Sequence, residues 1–419
     1  MLVTLPFILI SGKLSMPRPL SIAISVAIVC QLNSSLTLAE SKKPKQLDKF
    51  PPNPLEITTP DPLLPPLTDK QQLTLLELQS LEKALDELNQ EAQAKFQGGD
   101  QQGAFALWNR EARLRRYLGS LAELEALSRF AEVAFRQNAM EQVRYITQRL
   151  QTIQKQAQKQ KNLDLKLMQS LGEAYQKVRS PQLALEVYNQ VLTVVQQRED
   201  AVAILKTLTI IGELHLSWFD YPQAAATYER LLNLTATQSN PTNQLAYLQQ
   251  LGYIYQQAKQ PQPAIDVLKR TVEIYQQENN LTQIPGLKLA IGSNYEFLAQ
   301  KNPGLLREAF NHYEEAYVMA MRSRQYVRAG EALQKLITLY RTQGQIDEAL
   351  QTSQVMIETQ EQAVNYYGMM EAYDQMGQLY LERQEYPQAL TAFQKGLELA
   401  QQLKHQEKYF TEQIEKASK

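Results

Sequence analysis

The sequence predicts an all-α fold, an α–α superhelix (solenoid) of about eight helix–turn–helix units. Three observations support this prediction. Leucine, alanine, glutamine, glutamate and lysine dominate the 419 residues, and straight-chain side chains lose little rotamer freedom in a helix. Glycine recurs at one phase every forty residues, starting from Gly172. No stretch after residue 69 shows the alternation of apolar and polar residues that is typical of a strand.

A secretory signal peptide is predicted for residues 1–39. The ten apolar residues Leu20–Val29 follow Arg18, and Thr37 and Ala39 place small residues just before a cleavage site. Ten apolar residues are too few to span a bilayer as a helix. The sequence therefore predicts export to a periplasm, a thylakoid lumen or the extracellular space.

Several alternatives stay open at the N-terminus. Residues 2–29 together would form an uncleaved anchor, although Pro17-Arg18-Pro19 interrupts them. Translation from Met16, or a cytosolic protein with a misassigned start, would also fit. A lipoprotein needs a small residue before Cys30, where Val29 stands. Cys30 is the only cysteine, so the rest of the chain has no thiol for a disulfide or a metal site.

A proline-rich linker is predicted after the signal, because eight prolines fall between residues 43 and 68 and each favours extended backbone before it. This composition is typical of a semi-rigid spacer. A helix should begin at a cap formed by Thr68-Asp69 and end at Gly98-Gly99. The predicted organisation is a signal peptide at 1–39, the linker at 40–68, degenerate helical repeats at 69–160, a regular array at 161–410 and a C-terminal tail at 411–419.

The repeat has four marks: a glycine, a ring three residues later, a small residue at +12 and a bulky residue at +16. The glycine, ring and small-residue marks are Gly172, Tyr175, Ala184, Gly212, Ala224, Gly252, Tyr255, Ala264, Gly292, Tyr295, Ala309, Tyr340, Ala349, Gly377, Tyr380 and Ala389. An insertion of five residues around Pro303 interrupts the register once. Ala92, Ala104 and Trp108 extend it backwards, and the unit around Phe135 is degenerate.

The residue types at these marks suggest how the helices pack. A glycine inside a helix costs about 1 kcal/mol relative to alanine, so its regular return indicates close approach of two antiparallel backbones. The alanine is expected to face it from the second helix, with the tyrosine and the bulky residue between neighbouring pairs. Ser180 and Asp220 are predicted caps. Prolines are expected in the first turn of second helices, at Pro181, Pro222, Pro261 and Pro387.

These residues are similar to the tetratricopeptide repeat (TPR). The best copies are Leu171-Gly172-x-x-Tyr175 with Ala184-x-x-x-Tyr188, and Met376-Gly377-x-x-Tyr380 with Ala389-x-x-x-Phe393. The resemblance covers residues 163–400 and is weaker over 69–160. The family unit has about thirty-four residues, whereas this one has forty, and the family's proline near the end of the second helix is missing here. The units thus resemble the long-helix variants found in kinesin light chains.

The resemblance implies a concave groove, lined by the first helix of each unit, that binds a peptide or a partner protein without catalysing a reaction. Carried over by register, the groove residues are Lys166, Gln169, Glu173, Gln176, Lys206, Thr209, Glu213, Gln249, Tyr253, Gln256, Glu296, Phe297, Gln334, Arg341, Asp374 and Gln378. Exported TPR proteins of cyanobacteria look similar, and some help to build photosynthetic complexes. The favoured function is therefore a scaffold that assembles or stabilises a membrane-associated or secreted complex.

Other functions find little support in the sequence. The formal net charge of −1 and the lack of a long basic run argue against nucleic-acid binding. No phosphate-binding or nucleophile motif occurs, so no enzyme, cofactor or small-molecule substrate is predicted. His215 occupies a ring mark and is expected to pack, while His312 and His405 have no companions at metal-ligand spacing. A metal-delivery scaffold and a cytosolic regulatory protein remain as alternatives.

One basic cluster stands out near the start of the array. Trp108, Arg110, Arg113, Arg115 and Arg116 form the densest group of basic and aromatic residues in the chain. The cluster suggests contact with an acidic partner or with lipid headgroups near a membrane. A solvated helix face is the alternative interpretation.

Overall fold

Helices make up most of the residues that the computed structural model describes, which are 52–65, 73–160, 163–236 and 241–418. No strand occurs among them. The helices are α1 Leu75–Gln97, α2 Gln101–Arg115, α3 Ser120–Arg136, α4 Met140–Gln158, α5 Leu165–Lys177, α6 Pro181–Gln197, α7 Ala201–Ser217, α8 Tyr221–Ala236, α9 Pro241–Gln257, α10 Pro261–Gln277, α11 Ile284–Ala299, α12 Leu306–Arg322, α13 Tyr326–Thr342, α14 Ile346–Gln362, α15 Tyr366–Glu382, α16 Tyr386–Leu403 and α17 Glu407–Ala417. The all-α prediction is confirmed.

The helices pair into eight consecutive units, from unit 1 (α1 and α2) to unit 8 (α15 and α16), and α17 follows the last pair. Each helix packs against the next one along the chain, and the short turns between them make neighbours antiparallel. The glycine marks lie in first helices and the alanine marks in second helices. The predicted α–α solenoid of about eight units is confirmed.

The repeated glycines make room for a ring, which corrects the expected approach of two backbones. A Cβ atom on Gly172 would lie 2.7 Å from Cε2 of Tyr188, and one on Gly377 would lie 2.5 Å from Cε1 of Phe393. Units 4 and 6 repeat this arrangement. The bulky residue at +16 therefore packs over the glycine of its own unit. The ring of Tyr228 also lies 6.1 Å from the ring of Tyr247 in the next unit, as the prediction of packing between units expects. Burial raises the pKa of the Tyr188 hydroxyl to about 12.

The tyrosines at +3 lie between neighbouring units, as predicted, and they contact the unit before their own. The Tyr175 hydroxyl donates a hydrogen bond to Oε1 of Gln154 in α4 at 2.7 Å. Three units later, Nζ of Lys269 in α10 donates to the Tyr295 hydroxyl at 2.8 Å. Each tyrosine thus fixes the position of its unit through one polar contact made in apolar surroundings.

The turns within units contain the predicted prolines. All four lie at the first or second position of a second helix, namely Pro181, Pro222, Pro261 and Pro387. The cap prediction was right for Asp220, whose Oδ1 accepts from the backbone N–H of Gln223 at 3.4 Å. It was wrong for Ser180, which precedes α6 but makes no side-chain cap hydrogen bond. The proline at the start of α6 already lacks one of the N–H groups that need a cap.

The two ends of the array differ from the predicted boundaries. Helix α1 begins after Thr74, which forms a capping box with Glu77, while the proposed cap at Thr68-Asp69 lies outside the described residues. The signal peptide and residues 40–51 also lie outside them. At the other end, most of the segment assigned as a tail belongs to α17. Phe410 of α17 is fully buried and packs over Gly396.

Replacing Gly172 with alanine should destabilise the array, and Gly252→Ala is the matched control. The new methyl group at residue 172 meets the buried ring of Tyr188, and overpacking costs about 1–3 kcal/mol. At either position the higher helix propensity of alanine should also stabilise the helix by about 1 kcal/mol. A Cβ atom on Gly252 would lie 3.7 Å from Leu268, which is an ordinary contact distance. Gly252→Ala should therefore gain helix propensity without overpacking.

In urea unfolding followed by circular dichroism, Gly252→Ala should therefore exceed Gly172→Ala in unfolding free energy by about 1–3 kcal/mol. Equal free energies for the two variants would contradict the packing of a ring over each glycine.

Candidate functional site

The candidate binding surface is the first-helix face, defined as the exposed side of α5, α7, α9, α11, α13 and α15. All sixteen residues predicted from the register lie on these six helices. The exposed ones are Lys166, Glu173, Lys206, Glu213, Gln249, Tyr253, Gln256, Phe297 and Arg341, and the others are half-buried. The register therefore places the candidates on equivalent helices, and the contacts below show which of them remain open to a partner.

Two cavities between consecutive first helices bring predicted residues together. The cavity between α5 and α7 has a volume of about 220 Å³ and is lined by Gln176 and Glu213. The cavity between α9 and α11, here called the central cavity, has a volume of about 370 Å³ and is lined by Gln256 and Phe297. Both open where the first helices approach their C-terminal ends.

The walls of the central cavity combine an aromatic ring with uncharged polar groups. The Phe297 side chain is 47% exposed, although it belongs to a well-packed helix. The Asn294 side chain donates to the Ala290 carbonyl oxygen at 2.8 Å, and the Ser293 hydroxyl lies 3.1 Å from the Tyr313 hydroxyl. Sequence reasoning missed Ala290, Ser293 and Asn294, because the family's register does not predict where two helices leave a cavity.

Several predicted groove residues are engaged within the array. Nε2 of Gln249 donates to the Tyr275 hydroxyl at 2.8 Å. The carboxylate of Glu296 accepts from the Tyr313 hydroxyl at 2.6 Å. Arg341 forms an ion pair with Glu382 of α15. These contacts orient the side chains within and between units, so they limit what the same groups offer to a partner.

Asp374 and Gln378 are the residues for which the groove prediction was wrong, because α17 covers them. The Tyr409 hydroxyl donates to Oδ1 of Asp374 at 2.9 Å. Nε2 of Gln378 donates to the Tyr409 hydroxyl at 3.2 Å and to Oε1 of Gln413 at 3.3 Å. Burial under this helix raises the pKa of the Asp374 carboxyl. The chain itself therefore closes the C-terminal end of the first-helix face.

The histidines lie far apart and in different environments. His215 is half-buried, with Nδ1 3.3 Å from Oδ2 of Asp220. His312 stacks on Tyr295 with ring centroids 5.5 Å apart, and burial lowers its pKa. Among the residues described here, no three histidine, cysteine or acidic side chains come together as a metal site would require. No described helix has the length and hydropathy needed to span a membrane.

The basic cluster does not form the free surface that the sequence suggested. Nε and Nη2 of Arg110 donate to the two carboxylate oxygens of Asp61 at 2.8 and 2.7 Å, and Arg113 reaches the same carboxylate at 3.2 Å. Arg115 pairs with Glu111 and Asp86 at 2.6 Å each. Bidentate contacts to a buried carboxylate are strong and specific, so these guanidinium groups hold the chain's own residues.

The partner of this cluster is the docked segment, defined as residues 53–64. Nη2 of Arg116 donates to the Leu55 carbonyl oxygen at 2.6 Å, and the Leu55 side chain is fully buried. Nδ2 of Asn53 donates to the Tyr145 carbonyl oxygen of α4 at 3.2 Å. This part of the predicted linker therefore packs on units 1 and 2, where a free spacer was expected.

An Asp61→Asn variant should loosen the docked segment. Loss of the charge weakens the hydrogen bonds from Arg110 and Arg113, at a cost of about 1–3 kcal/mol. Amide hydrogen exchange within residues 53–64 should then be faster by about 5- to 150-fold. Asp86→Asn is the control, because Asp86 is exposed and lies outside the segment. Equal protection in wild type and Asp61→Asn would refute this assignment.

The same contact makes a prediction about pH. The hydrogen bond from Arg110 lowers the pKa of Asp61 below its ordinary value of 3.8, and desolvation only partly opposes it. The stabilisation is therefore complete above pH 3.8 and is lost as the pH falls through the lowered pKa. Pepsin should cleave the segment more rapidly in Asp61→Asn than in wild type near pH 4. This difference should disappear at lower pH.

Comparisons with known proteins found similar solved structures at low sequence identity. No protein-family model and no curated protein sequence matches the chain. The crystal structure of MamA is similar with 22% identity over 46% of this chain and 95% of its own, at a TM-score of 0.34. Kinesin light chain TPR-like repeats from Podosopora anserina match with 18% identity over 48% of this chain and 95% of their own, at 0.34.

The apo form of RapI matches with 11% identity over 80% of this chain and 97% of its own, at a TM-score of 0.38. The geometry of this chain identifies its fold independently of such matches. Eight helix pairs follow one another, with glycine, tyrosine and alanine at the marks of the motif. The fold is a TPR-type α-solenoid.

Proposed function

We propose that this protein is a non-catalytic scaffold that binds an extended peptide segment of a partner protein along the first-helix face. The central cavity is the observation that carries the proposal. It is large enough for one apolar side chain of a peptide, and Phe297 beside it is exposed. A few residues supply most of the binding energy in many protein interfaces, and aromatic anchors that pack into pockets are common among them.

The chemistry of the cavity favours an uncharged stretch of peptide. Lys259 is the only charged group among its lining residues, and Gln256, Ser293 and Asn294 supply amide and hydroxyl groups. A side-chain amide offers both donors and an acceptor, which suits the N–H and C=O groups of an extended backbone. The partner segment should therefore carry an apolar residue flanked by residues without charge.

The closed end of the array sets the extent of the binding surface. Helix α17 occupies the polar groups of α15, so a bound segment would run from α5 towards α13. Lys166 and Lys206 are exposed at the α5 and α7 end. A carboxylate near one end of the partner segment would complement them, whereas the middle of the segment lies over Tyr253 and Phe297.

The compartment belongs to the same proposal. The signal-like segment Leu20–Val29 and the small residues before Glu40 support export, in which case the scaffold would assemble or stabilise a secreted or membrane-associated complex. N-terminal sequencing of protein purified from its native cells tests this idea. A chain beginning at Glu40 is the expected result, and a chain that retains residues 1–39 in the cytosol would contradict it.

Peptide selection tests the binding surface directly. Peptides selected from a random phage-displayed library against the full chain should contain an apolar residue. Phe297→Ala should weaken their binding by about 5- to 30-fold, because truncating a central aromatic contact commonly costs 1–2 kcal/mol. Val318→Ala is the matched control, since Val318 is 42% exposed on the second helix α12.

Unchanged binding by Phe297→Ala, or an equal loss with Val318→Ala, would rule out the first-helix face as the site. A second experiment extends the test to the natural partner. A photo-crosslinking residue is placed at position 297 or at position 318 in the native host. Only the first position should give an adduct.

A further inference from the structure

The turn between α7 and α8 contains an unusual residue. Phe219 has a φ of 59°, in the left-handed region where a side chain crowds the backbone and glycine or asparagine is favoured. Its ring is 73% exposed, so the hydrophobic core gains little from it. Other turns of the array share this backbone conformation, so the turn itself requires it. What the turn does not require is a large, exposed apolar ring at that position.

Phe219 is part of a small aromatic group, here called the aromatic turn, which comprises Trp218, Phe219 and Tyr221. The Trp218 side chain is 54% exposed, and the rings of Phe219 and Tyr221 meet edge to face at 6.3 Å. Trp218 also lines the cavity that includes Arg179 and Ser180, so the aromatic turn lies beside the turn between α5 and α6.

Cations occupy the same turn position in the units on either side. Arg179 and Lys259 have φ values of 54° and 53°, equivalent to that of Phe219. Arg179 lies over the ring of Phe135 at 5.4 Å, and in the described part of the chain no ion pair joins Arg179 or Lys259 to a carboxylate. Asp220, which directly follows Phe219 in the sequence, contacts His215 and the backbone N–H of Gln223.

We propose that this edge of the array binds the surface of an anionic lipid bilayer. The Trp218 indole and the Phe219 ring enter the interface between headgroups and acyl chains, where amphipathic aromatic side chains are favoured. Arg179 and Lys259 contact headgroup phosphates on either side, and each cation near such a surface adds attraction. Phe219 lines neither of the two cavities of the first-helix face, and a ring this exposed at a turn suits a flat surface.

The opposite edge provides an internal control. Val364 has a φ of 52° and is 67% exposed, and Arg324 and Lys404 occupy the equivalent turns beside it. The pattern of cation, apolar residue and cation is therefore the same there. That edge has no indole, however, and its Tyr367 is hydrogen-bonded to Glu371, whose charge would oppose an anionic surface.

Tryptophan fluorescence tests the proposal, because Trp108 is buried and Trp218 is the only other tryptophan. The full chain is mixed with vesicles of phosphatidylglycerol and phosphatidylcholine, or of phosphatidylcholine alone. Only the anionic vesicles should shift Trp218 emission to the blue, and brominated acyl chains should quench it. The apolar segment 20–29 is present in every variant and could itself bind vesicles. The test therefore depends on the emission of Trp218 and not on the total amount of protein bound to vesicles.

Two pairs of variants give the comparison. Phe219→Asn relieves the left-handed strain, so it should be at least as stable as wild type and yet lose most of the quenching. Val364→Asn relieves the same strain on the other edge, and this variant should keep the quenching of Trp218. Arg179→Ser with Lys259→Ser should weaken vesicle binding reported by Trp218 by about 10- to 30-fold, at about 1 kcal/mol per cation. Arg324→Ser with Lys404→Ser should leave it unchanged.

Three results would overturn the proposal. The first is no shift of Trp218 emission with anionic vesicles, and the second is equal losses from the variants of both edges. The third is an equal blue shift on addition of soluble polyglutamate, which would indicate a site for an acidic polypeptide in place of a lipid surface.

Discussion

The packing of one large side chain over one glycine determines the geometry of each regular unit. Where the ring of Tyr188 lies over Gly172, the two helices of unit 3 can approach only as far as the ring allows. That spacing places Tyr175 against the preceding unit, where its hydroxyl reaches Gln154. Because each repeat contacts only its neighbours, small differences at this contact change the surface locally. The cavities between first helices therefore depend on how the large side chain packs over the glycine.

Exceptions to this contact show that volume is conserved within a unit. Unit 7 reverses the arrangement, with the large Ile337 on the first helix and the small Ser353 on the second, and both are buried. Between units 7 and 8, the buried side chain of Gln360 lies against Gly330 and Gly368. Close packing tolerates the exchange of large and small partners as long as the space is filled.

The periodic features could be predicted from the sequence, because a repeated local rule leaves a repeated spacing. Eight units, the turn prolines and the position of the +3 tyrosines between neighbouring units follow from that spacing. The long-range contacts could not be predicted. Nothing near Arg110 in the sequence indicates that Asp61 binds it, and register alone does not show that Tyr409 covers Asp374. The glycine spacing likewise suggested a close approach of two backbones, whereas a ring from the second helix fills that space.

The ends of the array help to explain its middle. A solenoid exposes apolar surface at its terminal repeats unless something covers them. Here Leu55 of the docked segment and Phe410 of α17 are both fully buried, so residues outside the eight helix pairs pack against the array near either end. Uncovered ends therefore cannot account for the rings that remain exposed in units 4 to 6. Phe219 and Phe297 lie on units whose neighbours are complete on both sides, and a requirement for binding explains their exposure better than a deficit in packing does.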